Sequence, residues 1–95
     1  KLIPKEGVYY TKVMVLGEEY DAMTNIGRNP SISAENPLTI ESHLLNFDKE
    51  IYGEKIRISF LQRIREQKRF PNLDALKVQL KEDLLMVEQF RKRRT

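Results

Sequence analysis

Residues Gly7 to Leu16, Gly-Val-Tyr-Tyr-Thr-Lys-Val-Met-Val-Leu, constrain the fold of this chain more than any other stretch. The run is rich in valine and tyrosine, which favours a strand. Successive strand side chains point to opposite faces, and here apolar groups stand at both parities, so both faces of the strand need cover. Gly17-Glu18-Glu19 reads as a tight turn into a second strand from about Tyr20 to Ile26, in which Tyr20, Ala22, Thr24 and Ile26 share a face. The two strands form a hairpin.

The rest of the chain supplies partners for it. Gly27 to Pro37 is dense in glycine, proline, asparagine and serine and predicts a surface loop of a length that is often functional. A third strand follows from about Leu38 to Leu45, with Leu38, Ile40 and Leu44 on one side and Thr39, Glu41, His43 and Leu45 on the other. Asp48-Lys49-Glu50 marks a second turn. Lys55 to Ile64 is the clearest strand, with Ile56, Ile58, Phe60 and Ile64 facing one way and Lys55, Arg57, Ser59, Leu61 and Arg63 facing the other, toward solvent. After Phe70-Pro71, Asn72 can cap a helix whose apolar positions Leu73, Leu76, Leu80, Leu84 and Val87 recur at helical spacing. Antiparallel strands followed by one amphipathic helix predict a mostly β fold, a small antiparallel β-barrel whose helix covers an open side. Four strands are too few to close such a barrel, and the chain begins at Lys1, so one or two strands are expected upstream in a longer protein.

Composition narrows the function classes. Ninety-five residues make one domain at most, and 40% hydrophobic with 33% charged residues is a globular balance. The net charge is +3, with much of the excess in Arg91-Lys92-Arg93-Arg94. That run reads as a solvated helix end that complements the dipole; only Phe90 accompanies it, which argues against a nucleic-acid groove. Without cysteine there is no disulfide or thiolate zinc site, in keeping with a reducing cytoplasm. No apolar run approaches the roughly 20 residues needed to span a bilayer, so no membrane association is expected. A single histidine, no cysteine and no Walker-type glycine loop exclude His-rich metal centres, Cys-His nucleophiles and P-loop chemistry.

Glu41 is the residue that draws attention, because burying a carboxylate in an apolar strand is costly unless it is paired or used. It is either an outward-facing residue of an edge strand, paired with Arg57 or Arg65, or a general base that takes the proton of a hydroxyl as its oxygen attacks phosphorus. Spacing does not separate the two. His43 shares its face and reads as a packing or hydrogen-bonding group. Ile58, Phe60, Leu61 and the Tyr9-Tyr10 pair read as core. Arg65, Lys68 and Arg69 fall at a strand-to-helix junction, where they are either solvated or placed to hold a phosphate or a polar ring edge.

Taken in order, Gly7-Val8-Tyr9, Asn25-Ile26-Gly27-Arg28-Asn29-Pro30, Glu41-Ser42-His43-Leu44-Leu45-Asn46-Phe47-Asp48, Ile51-Tyr52-Gly53, Arg65 to Phe70 and the helix from Leu73 to Asp83 resemble successive segments of riboflavin kinase. The resemblance implies a six-stranded Greek-key barrel with a C-terminal helix. It also implies transfer of the γ-phosphoryl group of ATP to the riboflavin 5′-hydroxyl, giving FMN. In many bacteria that domain is the C-terminal half of a bifunctional enzyme that also adenylylates FMN to FAD. By resemblance Glu41 is the base; Leu44, Asn46 and Tyr52 contact the adenine nucleotide; Thr39, Arg65 and Phe70 hold the flavin; and Asn29 to Thr39 form a flap. Asn46 stands where bacterial members often have aspartate, and Gln67 where glutamate is common. The family's Pro-Thr-Ala-Asn motif, which binds Mg²⁺ and phosphates, does not occur in this chain, so no metal ligand is expected here and the chain alone is expected to be inactive. The alternative is a non-catalytic flavin- or nucleotide-binding barrel module that self-associates through exposed strand edges.

Overall fold

A computed structural model describes residues 3–28, 38–46 and 55–94. The elements are β1 (Gly7–Val15), β2 (Glu18–Arg28), β3 (Leu38–Leu44), β4 (Arg57–Arg65) and α1 (Leu73–Arg94). The hairpin turn is Leu16-Gly17 rather than Gly17-Glu18-Glu19: Glu18 and Glu19 already pair with Val15 and Met14. Both turn residues have positive φ, 54° and 78°, the two-residue loop that matches the twist of the flanking strands.

The strands lie in the order β3-β2-β1-β4, every pair antiparallel. Three consecutive strands with a fourth returning beside the first is a Greek key. Among the described residues the sheet is open, with β3 and β4 at its edges. One face buries Thr11, Val13, Ala22, Thr24 and Ile26. On it the hydroxyls of Thr11, Thr24 and Ser42 link three strands at 2.8 Å a step, and Tyr9 meets Phe60 edge-to-face at 5.2 Å. The opposite face carries Val8 and Tyr10, also buried. Both sides of β1 are thus covered, as its parity requires, and Tyr9 and Tyr10 serve different faces.

The unbroken alternation expected over residues 55–64 does not hold. Along β4, Thr11 pairs with Phe60 but Tyr10 with Gln62, and Tyr9 pairs with Arg63 but Val8 with Arg65. Two register shifts therefore interrupt the period, leaving Leu61 and Ile64 as extra residues of the kind a bulge accommodates. Arg63 comes to share a face with Tyr9, and Arg65 comes to share the opposite face with Val8.

Asn72 caps α1 as expected, its Oδ1 accepting from the Ala75 backbone N–H at 2.9 Å. Asp74 in the first turn and Arg91 to Arg94 in the last suit the dipole. The apolar stripe expected of the helix is only half realised. Val87 is buried, whereas Leu73 is 63% exposed and Leu80 37%. The other buried residue of α1 is an acid, Asp83.

Candidate functional site

The register aligns one residue from each strand. Arg65 stands opposite Val8, Val8 opposite Asn25, and Asn25 opposite Glu41, so β4, β1, β2 and β3 contribute a single row across the face that α1 covers. Met23 and His43 pair in the next row. Directly opposed residues in such a sheet have Cβ atoms about 5 Å apart. Between this face and the first half of α1 is a cavity of about 350 Å³, lined by Asn25, Glu41, His43, Arg65, Phe70, Leu76 and Leu80 among others. The poorly sealed start of the helical stripe is one wall of that cavity.

Arg65 is not a free cation. Its Nε donates to Asp83 Oδ1 and its Nη2 to Asp83 Oδ2, both at 2.8 Å, while Nη1 donates to the Glu66 carbonyl at 3.0 Å. Asp83 is 1% exposed. Burial of a carboxylate is tolerated because this paired, planar fork and the Gln79 amide, donating at 3.0 Å, meet its oxygens. Lys68 donates in turn to Gln79 at 3.1 Å. The Arg65 guanidinium lies 5.9 Å from the centre of the Phe70 ring, a cation–π distance that steadies the ring at the cavity wall.

Gln67 ties the same junction to β2, donating to the Ile26 carbonyl at 3.1 Å. Its amide occupies the space that a Cβ on Gly27 would fill, so the close approach depends on glycine there. A glutamate at this position, if ionised, has no hydrogen with which to make that bond.

Glu41 corrects one expectation: it is exposed, not a buried acid. It lies on edge strand β3 and forms no ion pair with another described residue. Arg65 is engaged by Asp83, and Arg57 sits at the opposite edge of the sheet, so neither expected partner pairs with it. The carboxylate nevertheless borders the cavity. Phe70, Arg65, His43 and Lys68 join Glu41 there, whereas Thr39, Leu44 and Asn46 do not line it. Thr39 donates through its hydroxyl to the Gly27 carbonyl at 3.2 Å. Leu44 ends β3 half-buried, and Asn46 is an exposed turn residue with φ 57°. Tyr52 and residues 29–37 of the expected flap lie outside the described residues.

At the far end of α1 a second polar cluster joins helix to sheet. Asp21 accepts from the Tyr10 hydroxyl at 2.7 Å, pairs with Lys12 at 2.7 Å and lies 3.9 Å from Arg91. Burial and then the hydrogen bond to Asp21 push the Tyr10 phenol up to about 12. Burial raises the Asp21 carboxyl, but the hydrogen bonds from Lys12 and Tyr10, with the charges of Lys12 and Arg91, outweigh it and hold the group below its ordinary value. Arg91 is raised, chiefly by its hydrogen bond to Glu88.

Sequence reasoning passed over Asp83 and Asn25 as separate features. Asp83 carried a signal: three residues after Leu80 and four before Val87, it is an acid on the apolar stripe. Asn25 had none, because its importance comes from which residues the register sets beside it.

Comparison with known proteins agrees with this architecture. The flavokinase family, described as riboflavin kinase, matches residues 1–91. A bifunctional riboflavin kinase/FMN adenylyltransferase of Haemophilus influenzae is 36% identical over 88 residues, covering 92% of this chain and 28% of that protein. The enzyme of the same description from Listeria monocytogenes is 40% identical over 82 residues, 86% of this chain and 26% of that one. An RNA-binding riboflavin kinase of Bacillus subtilis is 37% identical over 83 residues, 87% of this chain and 36% of that one. This chain therefore spans about a quarter to a third of the relatives it matches. A crystal structure described as a macrolide-efflux protein from Streptococcus pneumoniae superposes with TM-score 0.83 and 31% identity, covering 92% of this chain and 28% of that one. Among the described residues no helix is long and apolar enough to cross a membrane.

Proposed function

We propose that this chain, which belongs to the riboflavin kinase family, holds riboflavin against Glu41 for transfer of the γ-phosphoryl group of ATP to the 5′-hydroxyl, giving FMN. The row from Arg65 through Asn25 to Glu41, open to a cavity beneath α1, carries the reading. The cavity is walled by Phe70, Leu76 and Leu80, which suit a flat apolar ring, and ends at a carboxylate, which suits a hydroxyl.

In this reading Glu41 is the general base. Its carboxylate accepts the proton of the 5′-hydroxyl as that oxygen bonds to the γ-phosphorus and the bond to the ADP oxygen breaks. Exposure on an edge strand suits the role, since ATP has to reach the same hydroxyl from outside the cavity. Arg65 acts through Phe70 and Asp83 rather than by touching a phosphate. Leu44, Asn46 and Tyr52 remain the adenine contacts and Thr39 a flavin contact on the strength of the family resemblance.

Magnesium, which neutralises charge on the phosphates in this chemistry, finds no fitting set: no group of three or more acidic, histidine or cysteine residues among those described could hold a metal ion. No step is assigned to it, and these residues alone are expected to form little or no FMN. Adenylylation of FMN is a property of the bifunctional relatives and is not assigned to this chain. Nucleic acid is not proposed as a partner either. Arg91 is engaged by Glu88, and Arg93 lies over the Phe90 ring at 5.4 Å.

The test is Glu41→Gln in the full-length natural protein. Loss of a general base lowers turnover about 10²- to 10⁴-fold, and riboflavin affinity, read by quenching of flavin fluorescence, should be retained. Unchanged turnover would remove Glu41 from the chemistry.

A further inference from the structure

Asn25 has a buried side-chain oxygen with no hydrogen-bond partner among the described residues, and the residue lines the cavity. Buried acceptors are nearly always paired, so one left open at a cavity wall marks where a donor is due. The other such atom among the described residues, Arg63 Nε, is packed across Gly7 and does not line the cavity. Asn25 also sits in the middle of the row, with apolar Val8 on one side and Glu41 on the other. Its opposed Cβ lies about 5 Å from that of Glu41. The row therefore sets a residue with a carboxylate beside one with a carboxamide oxygen, both acceptors. Their neighbours in the row do not compete for a ligand: Val8 has no polar side chain, and Arg65 is held by Asp83.

Adjacent acceptors repel an anion and fit a chain that carries successive hydroxyl donors. We propose that Asn25 is a further recognition residue, whose side-chain oxygen accepts a hydrogen bond from a non-reacting hydroxyl of the ligand's sugar-alcohol chain while Glu41 engages the reacting one. The inference rests on the riboflavin kinase reading and deepens it. Asn25 sets which polyol chain is held in line, and Glu41 acts on its end.

The experiment compares riboflavin with lumiflavin, the same ring bearing a methyl group in place of the chain, by fluorescence quenching on the full-length natural protein. Asn25→Ala is expected to weaken riboflavin binding about tenfold and to leave lumiflavin within about twofold, the scale of one lost neutral hydrogen bond. Equal weakening of both ligands, or of neither, overturns the proposal; the first means a structural role and the second an acceptor satisfied by water. Should Asn25→Ala fail to fold, wild-type protein decides with riboflavin analogues that lack one chain hydroxyl each. Loss of about tenfold on removing a single non-reacting hydroxyl supports the contact, and no loss for any of them overturns it. Failure of the wild-type protein to bind riboflavin would sink the kinase reading itself. Normal binding and phosphorylation with an insensitive Asn25→Ala variant would sink this inference alone.

Discussion

The two ends of α1 are anchored to the same sheet face by acids, yet one end is shut and the other is propped open. At the C-terminal end, Asp21 on β2 gathers Tyr10, Lys12 and Arg91, and Val87 packs beneath the helix with no exposure. At the N-terminal end, Asp83 on the helix grips Arg65 on β4, and Leu76 and Leu80 line a cavity. The first cluster is peripheral, the second sealed. A half-exposed ion pair holds a closed contact cheaply, whereas holding a helix off a sheet without losing it takes a buried, geometrically exact pair.

The comparison is broken most severely by Asp83→Ala, which strands the Arg65 guanidinium in a buried site. Removing one partner of such a pair costs about 3–5 kcal/mol, read from the urea midpoint, and flavin affinity should fall with it. Arg65→Lys should recover little, since an ammonium cannot make the paired contact. If Asp83→Ala is no more costly than Asp21→Ala, the two ends are energetically alike and the contrast fails.

Gly27→Ala ranks next, because its methyl group pushes the flexible end of Gln67 off the Ile26 carbonyl; the side chain moves readily, so the cost is that of the lost hydrogen bond, up to about 1.5 kcal/mol. Combining it with Gln67→Ala should cost little more than either change alone, a non-additivity that a double-mutant cycle measures. The effect belongs to the cavity end, so riboflavin binding should respond and the Tyr10–Asp21 cluster should not.

The smallest effects belong to the closed end. Tyr10→Phe removes one hydrogen bond to a carboxylate and should cost about 1 kcal/mol. The pH dependence separates the partners. Asp21 has a native value below its unfolded one, so its contribution is complete above the ordinary aspartate value of about 3.9 and is lost as pH falls through the lowered native value. Tyr10 is raised from 10.0 to about 12, so its contribution is complete below pH 10.0 and is lost as pH rises toward about 12. Asp21→Asn should flatten the acid limb of stability against pH, and Tyr10→Phe the alkaline limb. A curve unchanged by either substitution would mean that the cluster adds nothing to stability.

Much of this was legible in the residues. The two-sided β1, the hairpin, the Asn72 cap and the order of strands and helix all follow from patterns a few residues long. The family followed from an ordered set of short segments. The site was legible only in part. Glu41, Arg65 and Phe70 do gather at one cavity, but Arg65 has a partner that the strand pattern did not supply. Asp83 falls within a stripe of apolar residues, and Asn25 within a segment that carries the family resemblance but no local sign of chemistry.

Local sequence determined which segments are strands, which face of each is apolar and where the helix starts, because strand and helix periods and caps act over a handful of neighbours. Tertiary structure decided which acid is buried, which arginine meets it and which residue stands beside Glu41. Those outcomes depend on how β4 registers against β1 from the other end of the sequence: two one-residue shifts in that register turn Arg63 to the face away from the helix and, cancelling by Arg65, set Arg65 opposite Val8 on the face toward it. A one-residue slip exchanges the faces of a strand while leaving its composition untouched.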